Sequence, residues 1–204
     1  MFDPQSILLP PGTGGTVKLR PVTALEWPEA AARATAEVRN WAAVQGFTGQ
    51  PGTHLQVPGK TGSLLEVYAG VKPDDNGFGL CRLTQQLPFG TFEIASSGSH
   101  ALRFAELAWV LEAYAFDRFK PSRKKPPRIV CRRSVDFRRT LATARAICMV
   151  RDLVNTPANE MGPDELEAAC RRLARGYRAR ASVTRGKKLE RDFPMVHAVG
   201  MASN

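Results

Sequence analysis

Arg151–Ala169 reads RDLVNTPANEMGPDELEAA, and the way its backbone must turn decides the fold. Pro157 disfavours helix at the residue before it, so a helix arriving through Leu153 and Val154 has to stop there. Asn155, Pro157, Asn159 and Gly162 are turn formers, each for its own steric or hydrogen-bonding reason, and together they predict a rigid, non-helical joint. Pro163 then suits a first helical turn; Asp164 and Glu165 follow it, Arg171, Arg172 and Arg175 fill the last turns, and Gly176 comes next. A helix over Asp164–Arg175 is the clearest of the whole chain.

Upstream, a helix is expected over Phe137–Val154, preceded by a short strand Arg128–Cys131 and a Pro-broken basic loop, Pro121–Pro127. Leu102, Ala105, Trp109, Ala113 and Phe116 recur at three and four, which predicts a long helix from His100 to Phe119. Thr91–Ala95 reads as a strand and Phe78–Leu87 as a helix. His54–Pro58 and Leu64–Val71 form a hairpin pattern around Gly59-Lys60-Thr61-Gly62. Thr23-Ala-Leu-Glu26 has the form of a capping box, with Pro28 in the first turn of an Ala-rich helix that runs to Gln45 and ends at Gly46. Trp27, Ala31, Ala34, Val38, Trp41 and Ala42 share one side of that helix and read as core packing. Residues 1–22 are rich in Pro, Gly and Thr, with one short strand around Thr16–Leu19.

Downstream of the joint, Ala181–Thr184 reads as a strand and Phe193–Val199 as a short apolar segment. Strands alternating with helices predict an α/β fold: a mixed sheet flanked by helices, a connecting helix, and the start of a second α/β domain. Of the 204 residues, 43% are hydrophobic and 24% charged, a globular balance with no apolar run long enough to span a bilayer. No secretory signal is recognisable, so a cytoplasmic location is expected. The net charge of +10 fits a polyanionic partner or an arginine-rich solvated surface equally well.

Most chemical motifs fail on inspection. Gly59-Lys60-Thr61 ends like a phosphate-binding loop, but His54 stands where that loop needs glycine, and two strands flank it. In Gly12-Thr13-Gly14-Gly15 the third glycine of a dinucleotide fingerprint is replaced by Val17. His54, His100 and His197 are scattered without a second ligand at useful spacing, and a catalytic zinc needs three protein ligands. Cys81, Cys131, Cys148 and Cys170 lie far apart, as reduced, mostly buried thiols do. Arg118–Arg139 holds ten Lys or Arg against one acid, Asp136, yet it lacks a ladder of aromatics for stacking bases.

Arg151–Ala169 also resembles the join between the two domains of the leucyl aminopeptidase (cytosol aminopeptidase) family, where a helix ends in R-D-L-x-N-T-P-A-N before M-x-P and the next helix. AWVLEAYAFDRFK (108–120) is similar to that family's long N-domain helix, and FPMVHAVGMASN (193–204) to an early segment of its peptidase domain. The resemblance covers roughly 24–204, with Met201, Glu160 and Glu112 standing where arginine, aspartate and glycine are usual. It implies hydrolysis of N-terminal amino acids from peptides, with two divalent ions, zinc or manganese, that activate a water and hold the substrate amine. It also implies a hexamer. The family's ligands and catalytic lysine and arginine lie further downstream, in motifs like V-G-K-G-x-x-F-D-T-G-G and N-T-D-A-E-G-R, and neither occurs here.

The expected organisation is therefore an N-terminal α/β domain over 1–135, a connecting helix and joint over 136–160, and an incomplete start of a catalytic domain over 161–204. No residue of the chain is assigned a catalytic, cofactor-binding or metal-ligating role, so it is expected to be inactive alone. The alternative is a non-catalytic assembly or regulatory module that docks on a full-length aminopeptidase or weakly on nucleic acid. An active enzyme requires a C-terminal half beyond Asn204.

Overall fold

The structure is a computed structural model that describes residues 2–59, 62–95, 102–120 and 125–201. The chain divides into two compact units, Met1–Cys148 and Met149–Asn204.

In the first unit, strands β1 (Leu8–Leu9) and β2 (Val17–Val22) precede helices α1 (Trp27–Arg33) and α2 (Ala36–Gln45). The hairpin of β3 (His54–Pro58) and β4 (Leu64–Gly70) follows, then a 3-10 turn, Phe78–Arg82, running into α3 (Leu83–Gln86). Strand β5 (Thr91–Ile94), helix α4 (Ala105–Glu112) and strand β6 (Arg128–Val130) lead into the long helix α5 (Ser134–Asn155). The sheet order is β1-β6-β5-β2-β4-β3. All neighbours are parallel except the edge pair β3–β4. Parallel strands need both faces covered. On one face Leu19, Val67, Phe92 and Ile129 pack with Trp109 and Val110 of α4 and Leu141 and Ala144 of α5. On the other, Val22, Leu55, Val57 and Tyr68 pack with Trp27, Val38, Ala42 and Phe47.

Local chemistry sets the elements. Pro21 sits in a central strand, where a missing N–H is normally costly, but the β5 ladder ends at Leu19 and leaves Pro21 beyond it. Gly70 admits the chain at Gly49–Gln50: a Cβ there would stand 1.9 Å from the Gln50 carbonyl oxygen. The capping box is present as read, with Thr23 N–H donating to Glu26 Oε2 (2.9 Å) and Glu26 N–H to Thr23 Oγ1 (3.2 Å).

Several expectations need correction. The Ala-rich helix is two helices: Ala34 is extended, and Thr35 Oγ1 accepts from Val38 N–H to start α2 anew. Gly46 ends α2 in the left-handed region (φ +64°), as expected. Within the expected 100–119 helix only Ala105–Glu112 is helical; His100 lies outside the described residues. The chain leaves the helix after Ala113, where Tyr114 stacks edge-on against Phe2 at 5.5 Å. Lys60, Thr61 and 121–124 also lie outside the described residues.

In the second unit, α6 (Pro163–Gly176) begins with Gly162 N–H donating to Glu165 Oε2 at 3.0 Å. The left-handed residue after it is Arg178 (φ +54°) rather than Gly176. Ala181–Thr184 is not a strand; it leads into α7 (Gly186–Asp192), which the sequence reading missed, and the apolar segment at Phe193 becomes α8 (Pro194–Gly200). Val183 and Thr184 favour a strand by propensity, but with no strand beside them to pair with among the described residues, they form none. No helix among the described residues is long and apolar enough to cross a membrane.

Candidate functional site

The residues a reader of the sequence would test first stand apart. His54 opens the edge strand β3, 3.2 Å from the Gln56 side-chain nitrogen, and burial lowers its pKa. His197 lies in α8, in the other unit. Cys131 and Cys148 are buried, Cys81 is partly so, and Cys170 is exposed. Burial pushes the thiols of Cys81 and Cys131 up, which removes the thiolate a nucleophile needs. The phosphate-loop lookalike joins β3 to β4, so no helix follows it. Gly12–Gly15 does follow a strand, the two-residue β1 that the sequence reading did not anticipate, but strand β2 comes next rather than a helix.

Among the described residues of the first unit the most buried charge is Glu106, set in an otherwise apolar stretch of α4. Arg132 reaches it with Nε at 2.6 Å from Oε1 and a guanidinium nitrogen at 3.1 Å from Oε2, while the Arg132 N–H donates to Oε1 at 3.3 Å. The same guanidinium donates to the Leu102 carbonyl. This bidentate, fully engaged pair ties α4 to the chain just after β6, and it is a structural clamp. It also consumes part of the basic stretch. Arg133 pairs with Asp136 at 3.4 Å, and Arg128 lies over the Phe89 ring at 5.4 Å. The stretch is thus not one free cationic face. The sequence signal for the clamp was the lone acid in FAELAWVL (104–111), which the helical reading passed over.

Each unit has an open cleft. In the first, about 380 Å³ lies between Phe2, Ile7, Thr84, Ala113, Tyr114 and Lys125. In the second, about 350 Å³ is lined by Asp164, Glu165, Leu189, His197 and Met201. Two adjacent carboxylates invite an acid–base reading, but both are engaged: Asp164 pairs with Arg185 at 3.0 Å and Glu165 caps its own helix. Neighbouring Glu167 is held by Arg171 and Arg185, whose hydrogen bonds lower its pKa. Among the described residues no three His, Cys, Asp or Glu side chains converge on a point where a metal ion could sit.

The architecture is that of a layered α/β protein with a mixed sheet. Residues 17–131 match the profile of the M17 aminopeptidase N-terminal domain, more than half of the chain. The chain belongs to the M17 aminopeptidase family, through that N-terminal domain. Curated protein sequences give no match. Among solved structures, the cytosol aminopeptidase from Coxiella burnetii superposes with a TM-score of 0.86 at 28% identity, over 96% of this chain and 43% of that one. The bottromycin maturation enzyme BotP, solved in complex with Mn, gives 0.63 at 21%, over 87% and 40%. A tomato leucine aminopeptidase mutant gives 0.60 at 16%, over 84% and 42%. The last two likenesses speak to the fold alone. This chain spans less than half the length of each of the three.

Proposed function

We propose that this chain is the N-terminal part of a leucyl-type metalloaminopeptidase, not catalytic by itself, and that peptide hydrolysis requires the metal-bearing region its relatives carry outside the part it matches. In this reading 1–135 is the N-terminal domain, 136–160 the connecting helix and joint, and 161–204 the first portion of the peptidase domain. The observation that carries it is the match to the Coxiella cytosol aminopeptidase over 96% of this chain but 43% of that one. The sequence itself adds that neither lysine- and carboxylate-bearing motif of the family occurs in it. The complete enzyme would hold two divalent ions, act on peptide N-termini in the cytoplasm and assemble as a hexamer.

The purified chain, given manganese or zinc, should release no p-nitroaniline from leucine p-nitroanilide above buffer. Turnover that follows the protein through purification and disappears with chelator would falsify the proposal.

A further inference from the structure

A strand at the rim of a sheet holds out unpaired N–H and C=O groups to any other extended chain. The sheet of the first unit has two rims, β1 and β3. β1 is two residues long, too short to serve as a template. β3 has five residues and runs antiparallel to β4, so its backbone groups alternate between β4 and the outside. Two bonds fix the phase. The Thr53 carbonyl, just before β3, accepts from Gly70 N–H at 2.9 Å, and Gly59 N–H, just after it, donates to the Ser63 carbonyl at 2.6 Å. Thr53 and Gly59 therefore face inward, and so do Leu55 and Val57 between them. His54, Gln56 and Pro58 face outward.

Two of these three outward residues are closed by the chain itself. Trp41 of α2 donates its indole N–H to the Gln56 carbonyl at 2.8 Å. Pro58 has no N–H to give, and the ladder is irregular between Val57 and Pro58. The helical stripe places Trp41 with the core, yet it is 37% exposed, and its bond to Gln56 accounts for that place at the rim. The cover consists of bonds made within the first unit, not of a surface left bare. We infer that Trp41 guards the β3 edge. Together with Pro58 it keeps the sheet from adding a strand of another polypeptide, and removing both opens the edge to β3 of a second copy of this chain.

Sedimentation velocity on the full chain tests this, with circular dichroism as the check of folding. Trp41→Phe combined with Pro58→Thr removes the indole N–H, keeps a ring beside the strand and gives position 58 a donor. This double variant should dimerise about tenfold more tightly than the unaltered chain, because two outward groups in each copy become available for hydrogen bonds. Adding Gln56→Pro deletes an outward N–H without touching the β4 ladder, and should return the constant to that of the unaltered chain. Trp41→Phe alone should show a smaller rise, and it decides the matter where the double variant does not fold. Three outcomes overturn the inference. In the first, a folded opened variant associates no more than the unaltered chain. In the second, its association survives Gln56→Pro. In the third, Gln56→Pro alone abolishes an association already present in the unaltered chain, which makes the edge an interface rather than a closed rim.

Discussion

Glu106 and Arg132 show how one residue pair fastens the first unit. Glu106 is 6% exposed, and Arg132 satisfies both of its carboxylate oxygens. Deleting one partner of such a pair strands the other charge in a poorly hydrated place. Glu106→Ala is expected to cost about 3 kcal/mol in urea unfolding, the low end for a buried pair because Arg132 keeps some solvent contact. A loss under 1 kcal/mol would make the clamp ornamental. His54 gives a pH test. Burial lowers its folded pKa below the ordinary value of 6.5, so the folded state resists the proton that the unfolded state accepts. The stability it preserves is present above about pH 6.5 and is lost as pH falls through the lowered folded value. His54→Gln should therefore flatten the decline in unfolding midpoint between pH 7.5 and 5, and an unchanged slope counts against that origin. In the structure the near partner of His54 is the Gln56 amide. For Glu106 the lone acid of FAELAWVL (104–111) was the only mark in the sequence, and its partner Arg132 is brought to it only by the fold, just after β6.

At the level of elements, what could be read was what local chemistry dictates. Thr23 and Glu26 bond each other within four residues, Gly46 takes a left-handed φ that other residues avoid, and β3 alternates before the Gly59–Gly62 turn that leads into β4. The break between α1 and α2 was hidden because Ala34 and Ala36 are both good helix formers; Thr35 is the only marker, and its cap forms only once the chain bends. Thr35→Ala should cost about 1 kcal/mol, the usual value of a lost cap, measured by thermal unfolding of the first unit. No change would mean the bend is imposed by Trp27 and Val38 in the core rather than by the cap. Helix α4 was overextended for a related reason. Its periodicity continues to Phe116, but the chain must reach β6 after it, and Trp109 Nε1 donates to the Pro127 carbonyl at 2.9 Å on that return path. The strand expected at Ala181–Thr184 failed differently, since strand propensity has meaning only beside another strand.

Across the molecule the two units differ in what holds them. The first owns every strand of the sheet and nearly all the buried apolar side chains, from Ile7 to Cys148. In the second, no residue after Thr156 is buried among those described, while Phe193, Met195, Val196, Val199 and Met201 are each more than half exposed. Each such side chain, if fully covered, would contribute roughly 1.5–3 kcal/mol. That is a large fraction of a typical stability of about 5–15 kcal/mol. Opening free energy follows buried contacts, and exposed backbone hydrogen bonds protect poorly. Amides of Leu19, Val67 and Phe92 should therefore exchange only through global unfolding, whereas those of α7 and α8 should exchange by local opening, orders of magnitude faster. Hydrogen exchange reads both classes in one experiment. Strong protection of 186–200 in dilute, verified monomer would show that the second unit carries a stabilising core of its own, and the contrast drawn from burial would fail.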